Sequence, residues 1–417
     1  MATAPGKAII FGEHAVVYGT TAVAGSLSDM RIAAEISTVA GSSELVVVFE
    51  DIVEEESGKP SVVKVSFNLL RATIPLYEDP HVSERPSEEV KAALEALFAH
   101  QQSAVQHGMM SVAYLVGSLL GHLFWAPAGE LEGLGLYMRV QSRGLPIGAG
   151  LGSSAAFSVA VAAAALLLQA KLAPAGAKNA QLLGTLDTLD AGHVVPSLEA
   201  LGTINEWAYA SEILLHGSPS GLDNTTSCFG GLVRFSRKGT EQFKTISTPA
   251  LHFLLVNTRV PRSTRQLVGA VRSLHDAHPS VVLPILDSVE QISLKFLQLI
   301  DSCDAGGDEA YGQLVVQAGQ LMALNHGLLC ALGVGHPALT AVVEASQALG
   351  FPCKLTGAGG GGCAIILSPV PFCEDAPELG QEGEQEQALR SLVRQLREMG
   401  CDVHRSSVGG SGVFWTV

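Results

Sequence analysis

The chain has 417 residues, too many for one ordinary domain, and 47% of them are hydrophobic against 16% charged. That balance excludes disorder for its bulk and predicts two domains or more, with large buried cores. Its 25 Lys and Arg against 40 Asp and Glu leave a net charge of −15, which argues against a nucleic-acid partner but not against a small anion held by one or two local cations. Seven cysteines form no CxxC pair and leave an odd one over, so reduced thiols are expected rather than a disulfide framework or a zinc site. The N-terminus lacks the charged start and long apolar core of a signal peptide.

In chain order, Lys7–Phe11 reads as a buried strand ending at Gly12. Val46–Phe49 and Val62–Phe67 read as further strands, with the polar stretches 50–60 and 78–89 as exposed connections. Ser87 before Glu88 and Glu89 predicts an N-cap and a helix running through Ala99. The stretch 108–126 carries no Asp, Glu, Lys or Arg, but its His122, Ser111 and Ser118 favour a buried helix over a membrane span. Leu134–Val140 is a partly alternating strand, and the alanine-rich run Ala155–Lys171 predicts a helix buried on most sides, ended by 172–176. A helix follows over Ile204–Leu215, and Phe229-Gly-Gly231 is the expected boundary between the lobes. Beyond it, Phe253–Val256 and Cys363–Leu367 read as buried strands. Pro284–Leu299, with its Pro at the start, and Tyr311–Leu332 read as helices, and the acidic, Gln-rich segment 373–387 as a solvated loop. The reading is α+β in two lobes.

Three constellations carry chemistry. The first runs from Pro146 through Gly148, Ala149, Gly150, Leu151, Gly152, Ser153 and Ser154. Glycines at alternate positions between a strand and a helix let successive N–H groups line one concavity for phosphate, and the helix start adds its positive end. The same residues also suit a tight strand-to-helix turn with a serine cap. No Gly-Lys-Ser/Thr follows, so this is no Walker A loop, and the GxGxG spacing fits a dinucleotide fingerprint poorly. The second is Lys354-Leu-Thr356-Gly-Ala-Gly359-Gly360-Gly-Gly362-Cys363, whose four consecutive glycines abut an apolar strand and point to close backbone approach. The third is the segment from Glu212, on a helix, to Asp223, just past a Pro/Gly turn. Such a pair of carboxylates can divide phosphoryl-transfer work between Mg²⁺ and the nucleophile, or can be a capped helix end followed by an Asx turn.

Taken with Pro5–Gly19, which includes Lys7 and Gly12-Glu13-His14, these motifs and their order resemble the GHMP kinases. Within that superfamily the Gly-Glu-His form and the segment Val256–Thr264 are similar to the mevalonate kinases. The resemblance spans residues 4 to about 367. It implies a two-lobed fold with the active site in the cleft, and ATP-dependent phosphorylation of the mevalonate 5-hydroxyl. By it, Lys7, Ser142, the loop Gly148–Ser154 and the pair Gly359 and Gly360 belong to the ATP site. Ser154 and Glu212 would hold Mg²⁺, and Asp223 would act as base or orienting group with Lys7 beside it. Glu13, His14 and Thr258 fall to the mevalonate side, with His14 and Lys7 expected to meet the carboxylate and Glu13 to orient His14 or bind a hydroxyl. The small departures are Ile147 and Ser218, where Pro and Asn are frequent.

The resemblance further implies a homodimer, a cytosolic or peroxisomal location, and inhibition by prenyl diphosphates. The expected lobes are 1–230 and 231–404, with the tail 405–417 joining the first. Alternatives left open by the residues are another GHMP acceptor (phosphomevalonate or a sugar), a silent ATP-binding sensor and a nicotinamide oxidoreductase.

Overall fold

The computed structural model describes residues 1–417 except 55–56, 77–84, 125–130, 132, 173–187, 190–191, 218, 237–241, 247, 304–306, 370–382 and 417. β1 (Ala2–Phe11) leads through one 3₁₀ turn, Ala15–Tyr18, into the 19-residue β2 (Ala22–Ala40). β3 (Glu44–Val53) and β4 (Pro60–Ser66) form a hairpin, followed by α1 (Phe67–Thr73), α2 (Glu88–Leu97) and α3 (Ser103–Phe124). β5 (Leu134–Arg143) runs into the first glycine loop and α4 (Ser153–Leu172). Next come β6 (Thr188–Leu189), β7 (His193–Val194), α5 (Leu198–His216) and α6 (Leu222–Phe229). The second half holds β8 (Leu232–Phe235), β9 (Phe243–Ile246), β10 (Leu251–Asn257), α7 (Thr264–Ala277), α8 (Pro279–Cys303), α9 (Gly307–Ala331) and α10 (Pro337–Ala348). It closes with β11 (Cys353–Leu355), β12 (Cys363–Leu367), α11 (Glu384–Glu398), β13 (Asp402–Val408) and β14 (Phe414–Thr416).

β2 is the hub of the sheet. It pairs antiparallel with β1, β5 and β8, and Leu27 opposite Val408 joins it to β13. Through β13 the antiparallel set β11-β12-β10-β13 continues the sheet of the first half. β8, just after Gly230 and Gly231, pairs with β2, and β14 returns to β1 with Trp415 opposite Ala2. Trp415 is fully buried and its Nε1 donates to the Ala163 carbonyl at 3.0 Å, so the tail is pinned to α4 by packing and by a bond.

Helices that lack a polar face are buried, as their composition requires. α3 is buried from Met109 to Gly121, so the uncharged stretch 108–126 forms a core helix as far as Phe124; residues 125–126 lie outside the described set. Ser153–Leu172 and Tyr311–Ala331 are long and apolar enough to cross a membrane by length and composition, yet the first is 83% buried inside the protein.

Four boundaries differ from expectation. Strand β3 runs to Val53 and takes in the start of the polar stretch 50–60, while Phe67 opens α1 instead of ending a strand. Helix α8 begins at Pro279, so Pro284 lies inside it as the sixth residue, where it has no N–H to give to the carbonyl four residues back. Of the acidic segment 373–387, residues 384–387 are helical, because Leu389, Leu392 and Leu396 give α11 a buried stripe; residues 373–382 lie outside the described set, as do 78–84 and 173–176.

Candidate active site

The first glycine loop is a left-handed staircase, with φ of 76° at Gly148, 82° at Gly150 and 73° at Gly152. L-residues adopt that conformation at a cost, so the alternate glycines are a backbone requirement. Between them the side chains of Ala149 and Leu151 are buried and hold the loop to the core, while Gly148 and Gly150 stay exposed. The Leu151 carbonyl accepts from Lys7 N at 2.8 Å, tying the loop to β1, and Gly148 N donates to Ser153 Oγ at 3.4 Å. Beside the loop opens a cavity of about 530 Å³, lined by Phe49, Asp51, Ser142, Gly148, Ser153 and Phe157 among others. Ser142 faces it with its hydroxyl bonded to Leu145 O at 2.6 Å and its N–H to Asp51 at 2.5 Å. An apolar cavity opening on an anion nest and a helix N-terminus suits a nucleotide.

At the mouth of the nest, Lys7 Nζ lies 3.1 Å from Asp223 Oδ1. Lys7 is buried, its stem packed where a Cβ on Gly152 would sit, whereas 40% of the Asp223 side chain is exposed. Asp223 is in the first turn of α6, which follows Gly221 at φ 83°, and Ser220 Oγ accepts from Leu222 N at 3.2 Å. A carboxylate so placed can receive or orient a hydroxyl proton, with the ammonium beside it to offset negative charge.

Behind this pair, Ser154 Oγ donates to Glu212 Oε1 at 2.6 Å. Glu212 is buried, and desolvation, with the Asp223 charge adding, pushes its carboxyl up to about 7 against the pull of the Ser154 and Ser158 hydroxyls. Ser158, Ser211 and Ser111 continue the bonds inward at 2.7–3.4 Å and join α3, α4 and α5.

Glu13 and His14 follow β1. Glu13 is fully buried, ion-paired with Lys354 Nζ and accepting from Asn325 Nδ2 at 3.0 Å. The structure therefore differs from the expectation that Glu13 orients His14. His14 Nε2 contacts the Ala358 carbonyl at 2.8 Å, and burial lowers its pKa, which disfavours the charged form of the ring. Thr258 bonds Gly362 O through both its hydroxyl, at 2.8 Å, and its N–H, at 2.9 Å, which anchors the second glycine loop. Gly359 and Gly360 face the second lobe: a Cβ on Gly359 would overlap Val334 O, and Gly360 packs on Leu267.

The sequence matches the profile "GHMP kinases N terminal domain" over residues 111–194 and "GHMP kinases C terminal" over residues 313–375, and these hold the two glycine loops. It is 32% identical to the mevalonate kinase of Candida albicans over 98% of this chain and 88% of that protein. The human mevalonate kinase is also 32% identical, over 99% of this chain and 94% of that protein. The chain belongs to the mevalonate kinase family. The crystal structure of Leishmania major mevalonate kinase in complex with R-mevalonate shares the fold, with a TM-score of 0.63 at 21% identity over 98% of this chain and 96% of that one.

For a mevalonate kinase, the residues fit a hard cation. Ser154 and Glu212 offer two oxygens side by side, and a buried carboxyl raised to about 7 is one that a neighbouring cation would return to its charged form. Among the described residues no group of three His, Cys, Asp or Glu gathers, so phosphate oxygens and water would supply the other ligands.

Two residues of this kinase escaped the sequence reading. Arg262 Nη2 donates to Ala149 O at 3.1 Å, and Cys363 Sγ approaches the same carbonyl at 3.3 Å, so the second loop buttresses the first. The Arg262 guanidinium fills the room left by missing Cβ atoms at Gly150 and Gly362. No carboxylate among the described residues pairs with it, leaving a half-buried cation beside an anion nest. The signal was present, since Arg262 lies in the noted segment Val256–Thr264, but no spacing rule places it against Gly150. His216 is the other: its Nε2 is 3.1 Å from Ser154 Oγ and 3.6 Å from Glu212 Oε2. It sits one helical turn after Glu212, a spacing that sequence alone does show.

Proposed function

We propose that the chain transfers the γ-phosphoryl group of ATP to the 5-hydroxyl of (R)-mevalonate, giving 5-phosphomevalonate and ADP. The observation that carries this is the buried Lys7 ammonium paired at 3.1 Å with a half-open Asp223, at the edge of a backbone anion nest. In that step the 5-oxygen bonds to the γ-phosphorus, the bond from phosphorus to the β,γ-bridging oxygen breaks, and the hydroxyl proton passes toward Asp223. Phosphoryl transfer needs positioning and charge neutralisation more than covalent chemistry. Lys7, Arg262 and the loop N–H groups supply both. Ser154 and Glu212 would hold Mg²⁺, which neutralises charge on the β- and γ-phosphates when bound.

The catalytic lobe in this reading is 1–230 with the tail 405–417, and 231–404 forms the second lobe. A homodimer, a cytosolic or peroxisomal location and inhibition by prenyl diphosphates at the nucleotide cavity are extended to the chain from the family resemblance; the apolar walls Phe49, Ile52 and Phe157 suit a prenyl chain. The test is ADP release over mevalonate, phosphomevalonate and galactose, with and without Mg²⁺. Mevalonate alone should turn over, and only with the metal. Strong galactose turnover would overturn the acceptor while leaving a GHMP kinase.

A further inference from the structure

We infer that an amide pair, Asn205 on α5 with Asn224 on α6, sets the register of α6 and so aims Asp223 at Lys7. Asn205, Asn224 and Ser227 are then positioning residues for the reaction proposed above, on which this inference rests. α6 is an unusual helix to find enclosed. Asn224, Thr225, Thr226 and Ser227 follow one another on it and are each 4% exposed or less, although a run of polar side chains belongs at a surface. Burying such groups is costly unless each is bonded, so their partners identify what the helix is fixed to.

All four have partners. Asn224 Nδ2 donates to Asn205 Oδ1 at 2.7 Å and lies 3.3 Å from the Asn205 carbonyl. Thr225 Oγ1 meets the same amide, 3.4 Å from Asn205 Nδ2 and 3.5 Å from its Oδ1. Thr226 bonds back to Leu222 O within the helix at 2.8 Å. On the side of β1, Ser227 Oγ donates at 2.7 Å to the carbonyl of Pro5, which precedes Lys7 by two residues. Two directions are thus fixed at once, α6 against α5 and α6 against the strand that carries Lys7. Asn205 also lies two helical turns before Glu212, so one face of α5 carries both the anchor of Asp223 and the carboxylate bonded to Ser154.

The remaining contacts of α6 fix it less sharply. It has eight residues and no side-chain bond at its N-cap, and both flanking glycines, Gly221 and Gly230, have positive φ, at 83° and 73°. Cys228 Sγ lies 3.2 Å from Leu201 O, which is a weak bond. Leu222 packs with Ala22, Ala24 and Val233, and apolar contacts tolerate small slides, whereas hydrogen bonds impose a distance and a direction. A slip of one residue would shift Asp223 about 1.5 Å along the axis and turn it about 100°. Misplacing a reacting group by about 1 Å is enough to cost ~10²-fold in rate.

The test compares Asn205→Leu, Asn224→Leu and the double variant with wild type, in urea melts and in mevalonate kinetics. Either single change leaves an amide without its partner and should lower the urea midpoint. The double change strands neither amide, because apolar groups of like size replace both, and should restore most of the midpoint, with Thr225 free to bond the Gly221 carbonyl of its own turn. Its kcat should nevertheless stay ~10- to 100-fold below wild type, with the KM for ATP within about threefold. A kcat that returns with the midpoint would show a purely structural pair and overturns the inference. A double variant no more stable than its singles overturns it too, since the pair would not act as a unit. Should these variants fail to fold, Ser227→Ala decides from the β1 side: a kcat ~3- to 10-fold lower at an unchanged KM for ATP supports the inference, and a wild-type kcat sinks it. If wild type turns over no mevalonate, the parent reading fails by itself, and crystal structures of the double variant and Ser227→Ala still decide. Lys7 Nζ and Asp223 more than about 4 Å apart in either supports the aiming role, and a pair kept at 3.1 Å in both sinks it.

Discussion

At the scale of single residues, the two carboxylates differ in setting and so should differ in failure. Asp223 is half open, and in the proposed reaction it faces the transferring group, so Asp223→Asn would keep the shape but remove the charge that takes or orients a proton. Its kcat should fall ~10²–10⁴-fold with ATP affinity nearly unchanged. Rates within a few fold of wild type at saturating Mg²⁺ would assign Asp223 another role. Glu212→Gln and Ser154→Ala should show defects that shrink as Mg²⁺ is raised, which Asp223→Asn should not. Glu212 also has a stability signature without nucleotide. Its carboxyl titrates near 4.5 in the unfolded chain and near 7 in the fold, so the folded state holds the proton more tightly. Its contribution is full below pH 4.5 and is lost as pH rises through 7, by ~3 kcal/mol. Glu212→Gln should be flat over that window, so urea midpoints of the two proteins should diverge between pH 5 and pH 8. Parallel midpoints would mean that water reaches this carboxylate.

At the scale of elements, the two glycine loops should break in different ways. Gly148 at φ 76° has open space where a Cβ would go, so Gly148→Ala carries backbone strain alone, about 1–2 kcal/mol. Gly150→Ala adds displacement of the Arg262 guanidinium and should raise the KM for ATP well beyond Gly148→Ala. Gly359→Ala would drive a methyl into the Val334 carbonyl, which cannot swing aside, and should lower Tm more than it alters the KM for ATP. Equal effects of Gly148→Ala and Gly150→Ala on the ATP KM would remove Arg262 from the phosphate site. The loops were legible in the sequence because clustered glycine has few other physical causes, and so was α2, whose Ser87 cap accepts from Val90 N as its acidic first turn implies. β2 was not. Its Ala22–Ala40 run meets other strands on both edges and is buried on both faces for much of its length, which erases the alternation that marks a half-exposed strand. α11 was masked differently, since its leucine stripe is diluted by Glu, Gln and Arg into a segment that reads as solvated. The site followed the same rule. Lys7 and Asp223, and Ser154 and Glu212, came together as their motifs suggested, whereas the partners of Glu13 and His14 are set by tertiary contacts more than 300 residues away.

At the scale of the whole molecule, the Glu13–Lys354 ion pair ties the loop after β1 to β11, with Asn325 of α9 closing the cluster. Both side chains are fully buried, and desolvation lowers the Lys354 pKa against the opposing pull of Glu13. A buried pair adds little net stability, but removing one partner leaves a charge or a polar group stranded. Lys354→Met should therefore cost ~3–5 kcal/mol, because among the described residues the Glu13 side chain has only Asn325 left. Glu13→Gln should cost less, since the Lys354 ammonium can shed its proton and still donate to Leu355 O at 2.7 Å. The double variant Glu13→Gln/Lys354→Met should recover much of the loss, as a neutral amide beside an apolar chain strands no charge. Function should not recover in step. The double variant frees the segment that aims His14, so the KM for mevalonate should stay several-fold raised while that for ATP, set by the first loop and Arg262, moves less than about twofold. Urea melts of the four proteins give the coupling, and initial rates give the two KM values. A double variant as unstable as the sum of its singles would show that the pair does not act as a unit. Recovery of stability with an unchanged mevalonate KM would show that it holds the lobes together without aiming the acceptor.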